Sequence, residues 1–459
     1  QIMANPLELK ITRYINGDSI TDTLNGAAVT LKHTYNPKPG DGESDISETV
    51  QLVLEGAQAT VQSTVNTINR YLADARARNE NGYGDRVYIE ARAGTAAEWR
   101  RSEITDGRIS VTDDGMQAGL TSGTRTPAQL TITRRGWWEN TAGTYLPIYN
   151  SNGTATTDVS DWYVDIFNCA DSSGTAPTKR ENWVKLAAGS ISGDLPSPVT
   201  TWIRQQGTAL AVRSIYAGKV VANYGTSALV MSDYYADFSG SADASCSGGS
   251  FSPASISTDA ETVLFSASLA TSATMMQLGG APYHVMARFR DANSFADVRL
   301  RIKVLSGSAV VWTGQKFLLA STTELIQDLG IVNLPPGLPS EWNSFSMKIY
   351  GTRITGDTET INLDFLQCFG GEFVKLYQLN PSTNDLYKWG GENKVLTRYD
   401  DHFTTMATMD MVGYGAESFT VEPGKEHAFM FLIGGTASAP IDNNAWIGMY
   451  YRPRWSSPL

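Results

Sequence analysis

The sequence predicts a mainly β protein built around a single long α-helix. Three observations lead there. Short runs of alternating apolar and polar residues, bounded by Gly, Asn, Ser and Pro, recur through the 459 residues. Glycine occurs at 42 positions, as many tight turns require. Only from about Ala57 to Arg78 does the apolar period change to three and four, at Val61, Val65, Ile68, Leu72 and Ala75, with Gln62, Asn66, Asn69, Arg70, Asp74 and Arg76 on the opposite face.

The first segment, residues 1–145, opens with Leu7 to Ile11, a strand by alternation, and a hairpin turn at Asn16-Gly17-Asp18. A strand at Ala28–His33 leads into Asn36 to Glu43, a Pro/Gly-rich acidic stretch read as an exposed loop. Carboxylates at Asp41, Glu43 and Asp45 lack the spacing and distal Glu of a calcium loop. Strands at Thr49–Leu54 and Arg86–Arg92 flank the helix, expected over 57–78 and ending at Asn81-Gly82. A helix of that length spans about 33 Å, enough to lie across a sandwich. Strands near Ile109 and at Leu130–Thr133 complete the segment.

From 146 to 224 the pattern is strands alone, at Trp162–Phe167, Trp183–Ala187, Val199–Ile203 and Ala211–Tyr216. A Ser/Gly/Ala stretch at Ser239–Pro253 marks a change, and the strands that follow suit a jelly roll over 225–370: Tyr283–Phe289, Val298–Val304, Ser344–Tyr350 and Thr360–Phe365, with a loop at Pro335-Pro336-Gly337. Residues 371–459 return to strands at Phe373–Leu379, Ser418–Val421, His427–Ile433 and Ala445–Tyr451. Sheet edges must be paired or covered, and neither flanking half has many strands. Residues 146–224 and 371–459 are therefore expected to form one split β-sandwich with the jelly roll inserted.

The net charge of −11 and the lack of any Lys/Arg run longer than Arg134-Arg135 argue against specific nucleic-acid binding. Cys169, Cys246 and Cys368 are too far apart for a zinc motif and read as free thiols. No apolar run reaches the length of a membrane span and no secretory pattern opens the chain, so a soluble protein without membrane insertion is expected. Local signatures of nucleophile elbows, zinc proteases and phosphate loops are absent. Asp161 and Asp165 share a strand face but suit solvated edge positions. The histidines are His33, His284, His402 and His427; Asp400-Asp401-His402 reads as a turn, as does Asn152-Gly153-Thr154. The expectation is a non-enzyme with no cofactor or metal.

Aromatic residues are the better pointers. Eleven tryptophans are present, and Trp137-Trp138 follow Arg134-Arg135 directly. Adjacent residues on a strand point to opposite faces, so one Trp of the pair is free to meet a neighbour, making Arg134, Arg135, Trp137 and Trp138 the candidate subunit interface. In the jelly roll, Tyr283 and Trp312 are candidate glycan contacts, since aromatic faces stack on sugar rings.

The strand–helix–strand of Thr49 to Arg92 resembles the tail-tube fold of tube subunits and distal tail proteins of long-tailed bacteriophages. Leu130 to Glu139, with Arg134-Arg135-Gly136-Trp137-Trp138, looks like the closing strand and exit of that domain in minor tail proteins. Ile191 to Val199 and Tyr450 to Trp455 are similar to segments of those larger proteins. The resemblance implies an N-terminal tail-tube-like β-sandwich and a structural virion component, made in the host cytoplasm and located in the tail. Its partners would be copies of itself in a ring, commonly a hexamer, and other tail proteins. The chain exceeds a plain tube subunit in size, which points to a distal or minor tail protein. A carbohydrate-binding adhesin recognising host surface glycans is the alternative, and a polysaccharide hydrolase a third reading.

Overall fold

A computed structural model of the chain describes residues 7–15, 18–22, 30–82, 84–94, 97–111, 125–146, 149–150, 163–167, 183–205, 214–222, 235–238, 240–243, 246, 249–268, 282–291, 298–319, 325–333, 345–353, 358–370, 372–377, 386–391, 396–399, 405–409, 412–415, 418–434 and 444–458. The chain is mainly β with one long helix. It forms two compact units: unit 1 comprises Gln1–Thr144, Ile191–Ser197 and Arg452–Leu459, and unit 2 comprises Tyr145–Ser190 and Pro198–Tyr451. The chain therefore leaves unit 1, touches it again at 191–197 and returns to it at 452.

Unit 1 contains β1 (Leu7–Ile15), β2 (Asp18–Asp22), β3 (Thr30–Thr34), β4 (Ile46–Glu55), α1 (Gln58–Asn81), β5 (Arg86–Ala93), β6 (Arg100–Val111), β7 (Arg125–Arg134) and β8 (Trp138–Asn140). The strands run in the order β2-β1-β5-β6-β7-β4-β3. β1 and β2 form the expected hairpin, Ile15 opposite Asp18, with Asn16 and Gly17 outside the described residues. β6 is the hinge of this sheet. Its first half pairs with β5 and β8, its second half pairs with β7, and the register shifts between Ile104 and Asp106. A bulge bends a strand and strengthens its twist, so one strand serves two sheet directions.

α1 covers the concavity this bend creates. Val61, Val65, Ile68, Leu72 and Ala75 are buried as the periodicity requires, and Tyr71 joins them. They pack with Leu9, Ile11, Leu52, Ile89, Ile109 and Leu130 from the strands. A Cβ at Gly107 of β6 would lie 3.1 Å from Leu72 Cδ2 and 2.8 Å from the Thr131 carbonyl, so the close approach of helix to sheet requires glycine there. Polar ties reinforce the packing: Asn69 Oδ1 accepts the Ile109 N–H at 3.1 Å, and Arg76 Nε donates to Asp106 at 2.7 Å. The helix stops at Gly82, whose φ of 75° lets its N–H reach the Arg78 carbonyl.

Unit 2 holds four sheets. A six-stranded sheet places Glu426–Gly434 beside Ser214–Ala222 and that strand beside Glu372–Tyr377, so segments from before and after the central region interleave. An eight-stranded sheet does the same with Asn444–Tyr451, Ser197–Gln205 and Leu386–Gly390. Between them in sequence lies a second pair of sheets: a six-stranded one around Glu359–Gly370 and Pro282–Phe289, and a five-stranded one around Phe345–Arg353 and Val298–Ser306. One core runs through both parts, since Tyr216, Phe373, Met430 and Leu432 of the flanking strands pack in the same cluster as Val285, Leu300, Ile349 and Phe365. One feature differs from the sequence expectation. Residues 191–197 and 452–459 belong to unit 1, because backbone pairing to one another and to β8 holds them there. Pro335-Pro336-Gly337 lies outside the described residues.

Leu72 is fully buried at the centre of the helix contact. Leu72→Ala is expected to lower unfolding free energy by about 3 kcal/mol in denaturant titration, and Leu72→Asp, which buries a charge without a partner, to prevent folding of unit 1.

Candidate functional site

The Arg134–Trp138 turn is where unit 1 is closed, and it is built around a buried ion pair. Arg134, at the end of β7, is 0% exposed and Glu48, on β4, is 5% exposed. Arg134 Nη2 donates to Glu48 Oε1 at 2.5 Å and to the Lys38 carbonyl at 2.8 Å, while Nη1 donates to the Arg135 carbonyl at 2.9 Å. Glu48 also accepts the Tyr35 hydroxyl at 2.5 Å and the Lys38 N–H at 3.0 Å. Burial, with the Glu48 charge beside it, pushes the Tyr35 phenol well above its ordinary range, so it remains a donor. The Arg134 guanidinium lies 4.7 Å from the Trp138 ring centroid. A second buried pair, Arg101 with Glu139 at 2.8 Å, stands beside it, its guanidinium 4.2 Å from the Tyr88 ring centroid.

Three chain segments dock on this turn. The acidic loop is exposed, as expected, yet pinned. The Gly42 N–H donates to the Gly136 carbonyl at 3.0 Å, and a Cβ at Gly40 would lie 1.8 Å from that same oxygen. Asp41 Oδ1 accepts the N–H groups of Glu43 and Ser44 at 2.9 and 2.8 Å, which holds its pKa below the usual carboxylate value, and Asp45 pairs with Arg135 at 3.2 Å. The segment 191–197 and the strand Arg454–Trp455 meet next to the turn. The Asp194 and Leu195 N–H groups both donate to the Arg454 carbonyl, at 3.0 and 3.2 Å. Gly193, at φ 111°, permits the approach: a Cβ there would lie 2.4 Å from that carbonyl. Asp194 Oδ1 accepts the Ser456 N–H at 2.7 Å, and Trp455 Nε1 donates to Asn140 Oδ1 at 3.1 Å. Arg100 stacks on Trp455 at 3.9 Å from the ring centroid.

The subunit-interface expectation is corrected by this geometry. Arg134 and Trp138 have no exposed surface, and their side chains lie inside unit 1. Arg135 is held by Asp45, and Trp137, the other half of the alternating pair, is covered by the Arg454 guanidinium at 4.0 Å from its ring centroid. The neighbour that Trp137 meets is a distant part of its own chain. Asp41, Asp45, Glu48, Glu139 and Asp194 are each matched by a cation or by backbone N–H groups, so the arrangement is suited to cross-linking segments.

The two candidate glycan contacts lie on different sheets. Tyr283 pairs in register with Val332 and Gly370 in the six-stranded sheet, whereas Trp312, on Ala309–Thr313, belongs to the five-stranded sheet and is partly buried against its core beside Gly314. They do not form one site. The sequence reading missed a different feature of that five-stranded sheet, the basic residues Arg299, Arg301, Lys303 and Lys348, which never sit adjacent in sequence.

Among the described residues no group of three or more His, Cys, Asp or Glu is placed to hold a metal ion, and no helix is long and apolar enough to cross a membrane. Cys246 and Cys368 are buried free thiols, the latter with its pKa pushed up to about 12 by burial. Cys169, Asn152-Gly153-Thr154, Asp161 and Asp400-Asp401-His402 lie outside the described residues. His284 stacks on Phe373 at 4.0 Å between ring centroids. His427 is fully buried, its Nε2 accepting the Glu422 N–H at 3.0 Å, which fixes the neutral ring.

No family model matches the chain, and no curated protein matches it in sequence. Solved structures with a likeness to it include the infectious bursal disease virus Gx strain, at 8% identity over 63% of this chain and 75% of that one with a TM-score of 0.18. The VP2 subviral particle of infectious bursal disease virus is similar at 7% identity over 98% of this chain and 80% of that one, with a TM-score of 0.19. Scores this low establish neither a shared fold nor a shared role.

Arg134→Met, which leaves Glu48 buried without its cation, is expected to destabilise unit 1 by about 3–5 kcal/mol in denaturant titration, and Arg134→Met with Glu48→Leu to recover part of that loss. In unit 2, burial first and repulsion from Lys219 and Lys425 next outweigh the attraction of Glu422, and together they hold the His427 pKa at about 4 against an ordinary 6.5. Its unfolded form binds the proton more tightly, so stability is full above pH 6.5 and falls as the pH drops towards 4, by roughly 3 kcal/mol. Unfolding curves across that window should show this loss reduced in His427→Gln.

Proposed function

We propose that this chain is a structural component of a bacteriophage tail, a distal or minor tail protein that self-associates into a ring and carries its further β domains outward. The observation that carries the reading is unit 1 itself. A helix of 24 residues lies between two strands and packs on a bent sheet, in the segment whose sequence resembles the tail-tube fold. β2 and β3 stand at the two ends of the described strand order and suit continuation of the sheet into a second copy. The Arg134 and Arg101 pairs and the docked segments serve this role by making unit 1 a rigid brick. Arg134 and Trp138 are buried within unit 1, and the sheet ends are the contact surfaces of this reading.

Negative-stain imaging and light scattering of the purified full chain test the reading. Rings with a central hole and a mass near six copies are expected. A monodisperse monomer at micromolar concentration overturns it.

A further inference from the structure

The five-stranded sheet of unit 2 has a polar outer face of unusual charge. Along Val298–Ser306, Val298, Leu300, Ile302 and Val304 are buried, so Arg299, Arg301 and Lys303 stand on the opposite face. Alternate residues on a strand repeat at about 6.8 Å, so these three cations form a straight row. The neighbouring strand extends the row sideways: Lys348 is in register with Lys303, and Tyr350 with Arg301. Like charges directly opposite across a sheet are destabilising. Glu261 is the carboxylate that meets this row among the described residues, reaching Arg301 at 3.3 Å, Lys303, and Lys316 at 3.9 Å. Arg299 and Lys348 have no ion-pair partner among the described residues. Among the described residues the face thus sets five cations against one carboxylate, on a chain whose net charge is −11.

We propose that this face binds an extended anionic polysaccharide, with a carboxylate or sulfate on its repeating units, laid along the Val298–Ser306 strand. Charge complementarity and the linear, evenly spaced row of cations select a polymer with regularly repeated anions. The row lies low on a flat sheet, with Lys303 only 17% and Arg301 28% exposed at the side chain, which suits a chain lying across the surface. Single-stranded nucleic acid binds by stacking bases on open aromatic rings. The Tyr350 ring is instead covered by Lys303 Nζ, 4.2 Å from its centroid. A bilayer requires a continuous apolar zone. The exposed apolar residues of this sheet stand at its edges, Val263 at 48% on one side and Val310, Val311 and Leu318, at 50%, 40% and 58%, on the other, with the basic row between them. The proposal is independent of ring formation.

Binding of the full chain to heparin and to polygalacturonate, with neutral dextran as the control polymer, tests it. Both polyanions should bind, more weakly as salt rises, and dextran should not. The double variant Arg299→Gln/Lys348→Gln, which removes no ion pair among the described residues, should bind about tenfold more weakly with a salt slope shallower by about two, its circular dichroism unchanged. Arg70→Gln, on the exposed face of α1, should bind as the parent does. Failure to bind either polyanion overturns the proposal. So does an equal loss in Arg70→Gln, an undiminished affinity in the double variant, or tighter binding to oligo(dT) or to phosphatidylglycerol vesicles than to the polysaccharides.

Discussion

A guanidinium taken fully out of water must find an anion and acceptors for its remaining protons, and Arg134 imposes that demand on unit 1. Glu48 supplies the charge, and the carbonyls of Lys38 and Arg135 accept from the two terminal nitrogens, while Nε is buried without an acceptor beside the Trp138 ring. Those three groups belong to a strand, a loop and a turn, so meeting the demand fixes all of them at once. Tyr35 completes the carboxylate's shell from the end of the same loop. With the loop fixed, Gly40 can lie against Gly136 and the Gly40 N–H can reach the Ser456 carbonyl at 2.8 Å. The ion pair ties loop, strand and turn together, and breaking it by removing one partner leaves an uncompensated buried charge.

Unit 2 is organised differently, by shared apolar packing. The strands Pro282–Phe289 and Glu359–Gly370 meet the strands Glu372–Tyr377 and Glu426–Gly434, where His284 stacks on Phe373 and Gln367 Nε2 lies 3.4 Å from Met430 Sδ. Met430 and Phe373 are in the same core as the insert's own residues. Cutting the insert out at its chain boundaries would open that core to water. On the five-stranded sheet, Arg299 is exposed and Arg301 and Lys303 are half-buried on the face opposite that core.

The fold was largely legible in the sequence because its strongest signal is local. The period of Val61, Val65, Ile68 and Leu72, the stop at Gly82, and the strict alternation of Val298 to Val304 each report burial directly. What lay beyond reach depended on long-range pairing. Trp138 is buried and Trp137 is not, yet nothing in the local pattern says that the Arg454 guanidinium lies over the Trp137 ring. The segments Ile191–Val199 and Tyr450–Trp455 were singled out separately, and their pairing through Leu195 and Arg454 appears only in the folded chain. The basic face was hidden for a related reason. Alternation along a strand separates Arg299, Arg301 and Lys303 by buried residues, and Lys348 joins them from another strand, so a search for contiguous Lys and Arg passes over all four.

The strand Arg454–Trp455 pairs with β8, and its Trp455 bonds Asn140 across a sequence separation of 315 residues. A ribosome adding about 5–20 residues per second needs roughly 15–60 s to cover that interval. Throughout it, the Asn140 amide and the ring of Trp137 wait without the partners that cover them, while the whole of unit 2 is being made. The seam of unit 1 between β8 and Arg454–Trp455 thus closes only after the intervening unit has emerged. For the proposed self-association, this order means that a closed unit 1 becomes available only once the intervening unit is already attached to it.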